Sequence, residues 1–209
     1  MTKHRPLVLG LTGSIGMGKT ETAKLFAKLG VPVHDADAAV HKLYERGGSL
    51  VDEISRAFPG TVRDGKVDRA ALAMEIGTSA EKLKRLEQIV HPLVAQEQRA
   101  FIEKAAQTGA EIVVLDVPLL YETGGHTRMD TVVVVSAPRE IQRARVLSRP
   151  GMTPEKLDRL LARQMPDAEK RAQAHFVVET DKGLDHAFVQ VKEIVAALRE
   201  RRRRETGSA

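Results

Sequence analysis

Residues 13–20 have the sequence Gly-Ser-Ile-Gly-Met-Gly-Lys-Thr, which matches the pattern G-x-x-x-x-G-K-[ST] at every fixed position. They follow a short apolar run, residues 7–12 (LVLGLT), that is typical of a buried parallel strand. A helix is predicted directly afterwards, over residues 19–29, with Gly30 and Pro32 as its stop signals. The sequence therefore predicts a glycine-rich turn between a buried strand and a helix.

This turn has the chemistry of a phosphate-binding loop. Gly13 and Gly18 permit backbone angles and close approaches that a side chain would block. Successive backbone N–H groups can then surround phosphate oxygens, and the N-terminus of the helix adds partial positive charge. Lys19 is expected to reach the β and γ phosphates, and the Thr20 hydroxyl is expected to bind Mg²⁺.

The bound nucleotide is expected to be ATP rather than GTP. The chain contains no Asn, so it cannot contain the Asn-Lys-x-Asp motif with which GTPases recognise guanine. We therefore expect ATP and Mg²⁺ at this site, with the following ATP-binding residues: Gly13, Ser14, Ile15, Gly16, Met17, Gly18, Lys19, Thr20 and Glu21.

Further apolar runs alternate with helical stretches along the chain. Strands separated by helices favour right-handed crossovers and a parallel sheet with helices on both faces. The long helical stretch between the second and third strands interrupts this alternation, so we interpret it as an insertion. The expected fold class is α/β, a P-loop NTPase fold in a single domain of residues 1–209. Its parallel five-stranded sheet, flanked by helices, would contain residues 7–12, 31–34, 111–117, 131–136 and 176–179.

Local signals set the expected bounds of the helices in the insertion. One helix is expected over residues 38–46. Thr78 and Glu81 have the spacing of a capping box, which predicts that another helix begins there. Because a proline disfavours helical geometry in the residue before it, His91-Pro92 is expected to end that helix, and a new one is expected over residues 93–107.

Charge and composition limit the partners of the chain. The net charge is +5, but residues 199–205 hold five Arg and two Glu, a surplus of +3 that leaves +2 for the rest. We expect this run at the solvated end of a final helix, residues 184–203, and no nucleic-acid partner.

Absence of Cys fits a reducing compartment, and no apolar run approaches the roughly 20 residues of a membrane span. A cytoplasmic monomer or weak homo-oligomer without membrane contact is expected.

Three further motifs follow the phosphate loop in order. They are Asp35-Ala36-Asp37 after the second strand, His91-Pro92, and Pro118-Leu119-Leu120-Tyr121-Glu122. Together with residues 13–20 they resemble the dephospho-CoA kinase family. The C-terminal half is similar to the same family in three elements: Gln142 with Arg145 and Arg149, Arg163-Gln164-Met165-Pro166, and Lys170-Arg171.

The resemblance implies that ATP phosphorylates the ribose 3′-hydroxyl of 3′-dephospho-CoA, the last step of coenzyme A biosynthesis. It implies a core of about residues 7–36, 110–145 and 170–205, a helical acceptor-binding insertion of about 37–109 and a lid of about 146–169. It gives catalytic roles to Lys19, Arg149 and the general base Asp37, and ATP contact to Arg145. The acceptor-binding residues would be Asp37, His91, Leu119 and Glu122, and Asp116 would hold Mg²⁺ through water.

The acidic residues in this set have structural alternatives. Asp37 could instead be the N-cap of the helix over residues 38–46, or serve both purposes. Asp116 could orient Thr20 or be a plain structural residue, and Glu122 could pair with an Arg.

The basic residues also have alternatives. Arg145 and Arg149 are four residues apart and are expected on one helix face, where a solvated basic surface is the alternative to phosphate or adenine contact. His91 could simply be a helix-end residue. The chain departs from the family pattern at Ala95, where a basic residue is frequent, and at His175, where Asp is usual.

Two other functions remain open on the sequence alone. One is a nucleoside monophosphate kinase or small-metabolite kinase of the same fold. The other is a non-enzymatic ATP-binding module with a basic tail, which would hydrolyse ATP slowly without an acceptor.

Overall fold

The computed structural model describes residues 5–207, with side chains described for residues 5–204. The chain divides into two units. The first contains the described residues up to His34 and from Ile102 onward, and the second is Asp35–Phe101. The second unit covers most of the segment for which an insertion was expected.

The strands, in chain order, are β1 Leu7–Thr12, β2 Val33–Asp35, β3 Val62–Arg63, β4 Lys66–Val67, β5 Ile112–Asp116, β6 Thr131–Ser136 and β7 Phe176–Glu179. The helices are α1 Lys19–Lys28, α2 Ala36–Tyr44, α3 Val51–Ala57, α4 Arg69–Ile76, α5 Ala80–Gln107, α6 Arg139–Leu147, α7 Pro154–Leu161, α8 Asp167–Gln173 and α9 Leu184–Gly207. A short 3₁₀ turn lies at Gly125–Arg128.

Strand β1 lies at the centre of a five-stranded sheet with the order β2-β5-β1-β6-β7. It pairs in parallel with β5 on one side and with β6 on the other, and β6 pairs in parallel with β7. All six residues of β1 are buried. The predicted α/β fold with a five-stranded parallel sheet is therefore confirmed, and the carboxyl end of its central strand leads directly into residues 13–20.

Consecutive side chains of β6 enter two different hydrophobic clusters. Val133 packs in a cluster with Phe26 of α1 and Val191 of α9. Its neighbour Val132 packs in a separate cluster with Leu120. Because successive side chains of a strand point to opposite faces, the sheet is covered on both faces, which explains why its strands are continuous apolar runs.

The second unit contains an antiparallel hairpin that the sequence analysis did not predict. Strands β3 and β4 pair through Val62 with Val67 and Arg63 with Lys66. The two residues between the strands, Asp64 and Gly65, have φ values of 51° and 74°. Such values are typical of a type I′ turn, for which Asp-Gly is a preferred pair. The Asp-Gly dipeptide was therefore the missed signal.

Helix α5 is continuous, with Pro92 inside it, so the predicted break at residues 91–92 is wrong. Apolar side chains on both sides of the proline, including Ile89 and Leu93, pack against the core cluster of the second unit. Proline removes one backbone hydrogen bond from a helix. Packing before and after Pro92 stabilises the helix across that position.

The structure also corrects two predicted helix starts. Helix α2 begins at Ala36, and its N-cap is Asp35, whose carboxylate accepts a hydrogen bond of 2.9 Å from the backbone N–H of Ala38. The interpretation of Asp37 as the cap is therefore wrong. At α5 the Ser79 hydroxyl, rather than that of Thr78, accepts the N–H of Lys82.

Two further boundaries differ from the prediction. Helix α6 ends at Leu147, so Arg149 lies beyond it and does not share a helix face with Arg145. The reason is local, because Arg149 precedes Pro150 and a residue before proline avoids helical geometry. Helix α9 continues to Gly207, past the expected end at residue 203.

Within the described residues, none of the helices combines the length and the apolar character that crossing a membrane requires.

Candidate active site

The phosphate loop, residues 13–20, joins the end of β1 to the start of α1. At Gly13 a Cβ atom would lie 2.6 Å from the backbone oxygen of Val135, so only glycine fits against β6. Gly18 has a φ of 95°, a left-handed value that L side chains rarely adopt, and it occupies the N-cap of α1. Because Gly18 has no side chain to cap the helix, the first N–H groups of α1 remain available to an anion.

The backbone of the loop is held by side chains from distant parts of the chain. The Ile15 N–H donates to Oε1 of Gln164 at 3.1 Å, and the Ile15 carbonyl accepts from Nε2 of Gln142 at 2.8 Å. The Thr180 hydroxyl donates to the Met17 carbonyl at 2.8 Å. Both hydrogen-bonding groups of Ile15 are therefore engaged by glutamine side chains.

Lys19 forms an ion pair with Asp116, the last residue of β5. Its Nζ lies 2.5 Å from Oδ1 of Asp116, and the two side chains are 17% and 4% exposed. The ion pair gives Asp116 a role that the sequence analysis did not consider. The buried carboxylate of Asp116 beside Lys19 holds the ammonium group at the loop.

Thr20 and Asp116 are the residues predicted to hold Mg²⁺. Hydroxyl and carboxylate oxygens are hard donors that suit this ion, which usually keeps several waters and binds through few protein ligands. In the described part of the chain there is no cluster of three or more His, Asp or Glu side chains that would form a protein-only metal cage. The two residues fit a phosphate-linked Mg²⁺ rather than a dedicated cage.

A cleft of about 430 Å³ opens beside the phosphate loop. Arg145 is fixed there, because its guanidinium donates to the Thr180 hydroxyl at 2.8 Å and to the Thr180 carbonyl at 2.7 Å. Arg149 reaches the same cleft from the segment after α6, where it is exposed. The cleft is lined by Gly16, Gly18, Glu21, Thr22, Arg145, Arg149, Thr180, Gly183, Leu184 and Ala187. The structure thus brings both predicted arginines to the loop without placing them on one helix face.

Glu122 pairs with Lys170 rather than with an Arg. The Lys170 Nζ lies 2.8 Å from Oε1 of Glu122, and the Lys170 side chain is fully buried. The same oxygen accepts the backbone N–H of Met165 at 2.8 Å. Burial alone would raise the pKa of Glu122, but the hydrogen bonds from Lys170 and from backbone N–H groups outweigh it and lower that pKa below its ordinary value.

The remaining predicted residues are exposed. Leu119, on the segment after β5, is 41% exposed. In the second unit, Asp37 lies in the first turn of α2 and His91 lies within α5, and both are exposed. His175, which departs from the family pattern, extends the pairing of β6 and β7, because its Nδ1 accepts the N–H of Val132 at 3.1 Å.

Sequence reasoning missed the roles of Gln142, Gln164 and Lys170. All three stand in motifs that carried the family resemblance, so the motifs were the available signal. Their partners lie far away in the chain: Ile15 is 127 residues from Gln142 and 149 residues from Gln164. Spacing alone could not identify these contacts.

A glycine-rich phosphate loop at the end of a central parallel strand, with a lysine held beside it and a cleft containing two arginines, defines a P-loop kinase. Residues 7–186 match the family model described as dephospho-CoA kinase. The dephospho-CoA kinase of Rhodopseudomonas palustris strain HaA2 is 58% identical over 199 residues, which cover 95% of this chain and 99% of that protein. The dephospho-CoA kinase of Mesorhizobium japonicum is 55% identical over 196 residues, covering 94% and 98%.

Solved structures share the fold of this chain. A crystal structure of a protein from Thermus thermophilus superposes with a TM-score of 0.81 at 36% identity, covering 93% of this chain and 98% of that one. The dephospho-CoA kinase from Campylobacter jejuni has the same fold, with a TM-score of 0.64 at 19% identity and coverage of 93% and 98%. The chain belongs to the dephospho-CoA kinase family, and it is therefore an enzyme that transfers phosphoryl groups.

The lowered pKa of Glu122 predicts a pH-dependent contribution to stability. The contribution is fully present above the ordinary glutamate pKa of 4.5 and is lost as the pH falls through the lower folded value. We expect Glu122→Gln to reduce the free energy of unfolding by about 1–3 kcal/mol at neutral pH, because Lys170 then loses its counter-charge. The difference from the unmodified chain should shrink below pH 4.5.

Thermal unfolding of both proteins across this pH range measures the effect. Glu169→Gln, at an exposed position of α8, is the matched control and should show no such difference. A difference for Glu122→Gln that stays constant at low pH would contradict the ion-pair explanation.

Proposed function

We propose that this chain transfers the γ-phosphoryl group of ATP to the ribose 3′-hydroxyl of 3′-dephospho-CoA and releases CoA and ADP. Membership of the dephospho-CoA kinase family supports dephospho-CoA as the acceptor. The start of α1 at Gly18, which no side chain caps, is the observation that supports nucleotide binding. Those N–H groups offer several parallel hydrogen bonds to phosphate oxygens. ATP and dephospho-CoA are the small-molecule partners in this proposal.

The phosphate loop and its lysine would supply most of the catalysis. Phosphoryl transfer depends mainly on positioning and on stabilising charge at the transferred group. Lys19, whose ammonium group pairs with Asp116, would reach the β and γ phosphates when the nucleotide binds. Arg149 would add positive charge near the transferred group, and Arg145 would line the nucleotide cleft with its guanidinium already oriented by Thr180.

Mg²⁺ is proposed as the metal. When bound, it would neutralise charge on the β and γ phosphates during transfer. The Thr20 hydroxyl would bind the ion directly, and Asp116 would hold it through water. Both supply the hard oxygen donors that this ion prefers.

Asp37 is proposed as the general base that accepts the proton of the 3′-hydroxyl. Its main structural alternative is removed, because Asp35 caps α2 and Asp37 is an exposed carboxylate in the first turn. His91, Leu119 and Glu122 are proposed to contribute to acceptor binding. The Glu122 Oε1 is engaged by Lys170 and Met165.

The remaining proposals concern organisation and location. We propose that the helical insertion of about residues 37–109 binds the acceptor, and that residues 146–169 form a lid that excludes water. A cytoplasmic monomer or weak homo-oligomer that binds neither nucleic acid nor membranes is consistent with the composition and with a charge surplus of which +3 of the +5 lies in residues 199–205.

The proposed acceptor is tested by coupled ADP release with a set of hydroxyl and phosphate acceptors. We expect turnover with dephospho-CoA and little above the background hydrolysis of ATP with AMP, CMP or shikimate, because the latter three lack the pantetheine arm. Omitting the acceptor is the control for hydrolysis. Turnover only with a monophosphate or with shikimate would reject the proposal, and slow hydrolysis independent of all acceptors would favour a binding module.

The two aspartates of residues 35–37 give a matched pair of variants. Asp37→Asn should lower kcat by roughly 10²–10⁴-fold with little change in the free energy of unfolding, because the base is lost but no cap is removed. Asp35→Ala should lower the free energy of unfolding by about 1 kcal/mol, because it removes the cap of α2.

Steady-state kinetics and urea unfolding of both variants measure the two effects separately. If the Asp37→Asn variant has a nearly normal kcat, Asp37 is not the base. That result would not decide the identity of the acceptor, which the ADP-release assay tests.

A further inference from the structure

Ile15 occupies the third position of the phosphate loop, and its peptide groups are fully engaged by protein. The N–H is bound by Gln164 and the carbonyl by Gln142, at 3.1 and 2.8 Å. A backbone N–H can only donate and a carbonyl can only accept, so the orientation of both side-chain amides is fixed by chemistry. Ile15 therefore offers its N–H to Gln164, and phosphate contacts are left to the loop residues after it.

Gln164 is itself held in place by the residues that follow it. The Met165 N–H donates to Glu122 at 2.8 Å, and the Ser136 hydroxyl at the end of β6 donates to the Asp167 carboxylate at 2.7 Å. Residues 164–167 are thus tethered in succession to the phosphate loop, to the segment after β5 and to the end of β6. The buried Lys170 pairs with Glu122 and completes this support.

Gln142 holds the other side of Ile15 from a rigid element. It lies in α6, and the residue is only 4% exposed. The same helix carries Arg145, which is bonded to Thr180, and Thr180 in turn donates to the Met17 carbonyl. Ile15 and Met17 are therefore both restrained by contacts that involve α6.

These contacts set the direction of the loop amides. Fixing the peptide at Ile15 limits the orientations that the following peptides can adopt. Because the Met17 N–H donates to the Ser14 carbonyl at 3.1 Å, the N–H groups of Gly16 and of residues 18–20 are the ones held toward one anion position. Preorganised donors of this kind cost little reorganisation when the ligand binds. A loop without them would have to be ordered by the nucleotide itself.

We propose that Gln164 and Gln142 are positioning residues that hold the phosphate loop in its ATP-binding conformation. Through Gln164, the loop conformation depends on residues 164–167, which lie near the carboxyl end of the proposed lid. The inference rests on the proposed binding of ATP, but it does not depend on the identity of the acceptor.

The same substitution at the two positions gives a test in which the two variants are expected to lose ATP affinity to different extents. Gln164→Glu keeps an acceptor for the Ile15 N–H, whereas Gln142→Glu loses the donor that the Ile15 carbonyl needs. Both add one negative charge beside the same loop residue, so charge alone affects them alike. The dissociation constant of Mg²⁺-ATP, measured by isothermal titration calorimetry, is the readout.

We expect Gln164→Ala to weaken ATP binding by about tenfold, the size expected for the loss of one hydrogen bond. Gln164→Glu should retain more affinity than Gln142→Glu. Gln142→Met, which keeps the volume without charge or donor, should also weaken binding, and it replaces Gln142→Glu if that variant fails to fold. Gln107→Ala, at an exposed position in α5, is the matched control and should bind normally.

Steady-state kinetics provide the second readout. A positioning role predicts a rise in KM for ATP with an unchanged KM for dephospho-CoA, whereas general destabilisation would affect both. Normal ATP affinity in Gln164→Ala, or equal losses in the two glutamate variants, would overturn the inference. If the unmodified chain binds ATP but does not phosphorylate dephospho-CoA, the proposed acceptor fails while the binding comparison still decides the role of the glutamines.

Discussion

The structure of the site depends on a backbone loop that is held from outside while the N–H groups at its carboxyl end, from Gly18 onward, stay available to an anion. Glycine at position 13 lets the loop lie against β6, and Gly18 starts α1 without a side-chain cap. Gln142, Gln164 and Thr180 then fix its peptide groups at Ile15 and Met17. An anion site made of N–H groups works only if those groups point together before the ligand arrives.

Much of the fold could be predicted from the sequence, because the three inner strands of the sheet, β1, β5 and β6, are buried on both faces and therefore form continuous apolar runs. The prediction failed where packing overrides a local signal. A proline normally ends or kinks a helix, but apolar contacts on both sides of Pro92 keep α5 continuous. At residues 62–67 the local signal was correct but was overlooked. The Asp-Gly pair there forms the turn of a β-hairpin, whereas a helical segment was expected.

The site was predictable in its chemistry and less so in its contacts. The sequence motifs predicted the phosphate loop, Lys19 and the two arginines of the cleft, since these follow from residue type and order. It did not show that Asp35 rather than Asp37 caps α2, because two aspartates of the same motif fit the cap equally well on sequence. The partners of Gln164 and Lys170 depend on the packing of segments that are distant in the chain, and a single sequence carries no record of that packing.

The central claim, that residues 13–20 bind the phosphates of ATP through their backbone N–H groups, is tested most directly by an amide-resolved NMR titration. With ¹⁵N-labelled protein and Mg²⁺-ATP, the account predicts the largest chemical-shift changes at the amides of Gly16 and of residues 18–20, because the Met17 N–H is already bonded to the Ser14 carbonyl. The Ile15 amide should shift less, because Gln164 already holds it. Loop amides that stay unchanged while ATP shifts resonances elsewhere would contradict the account.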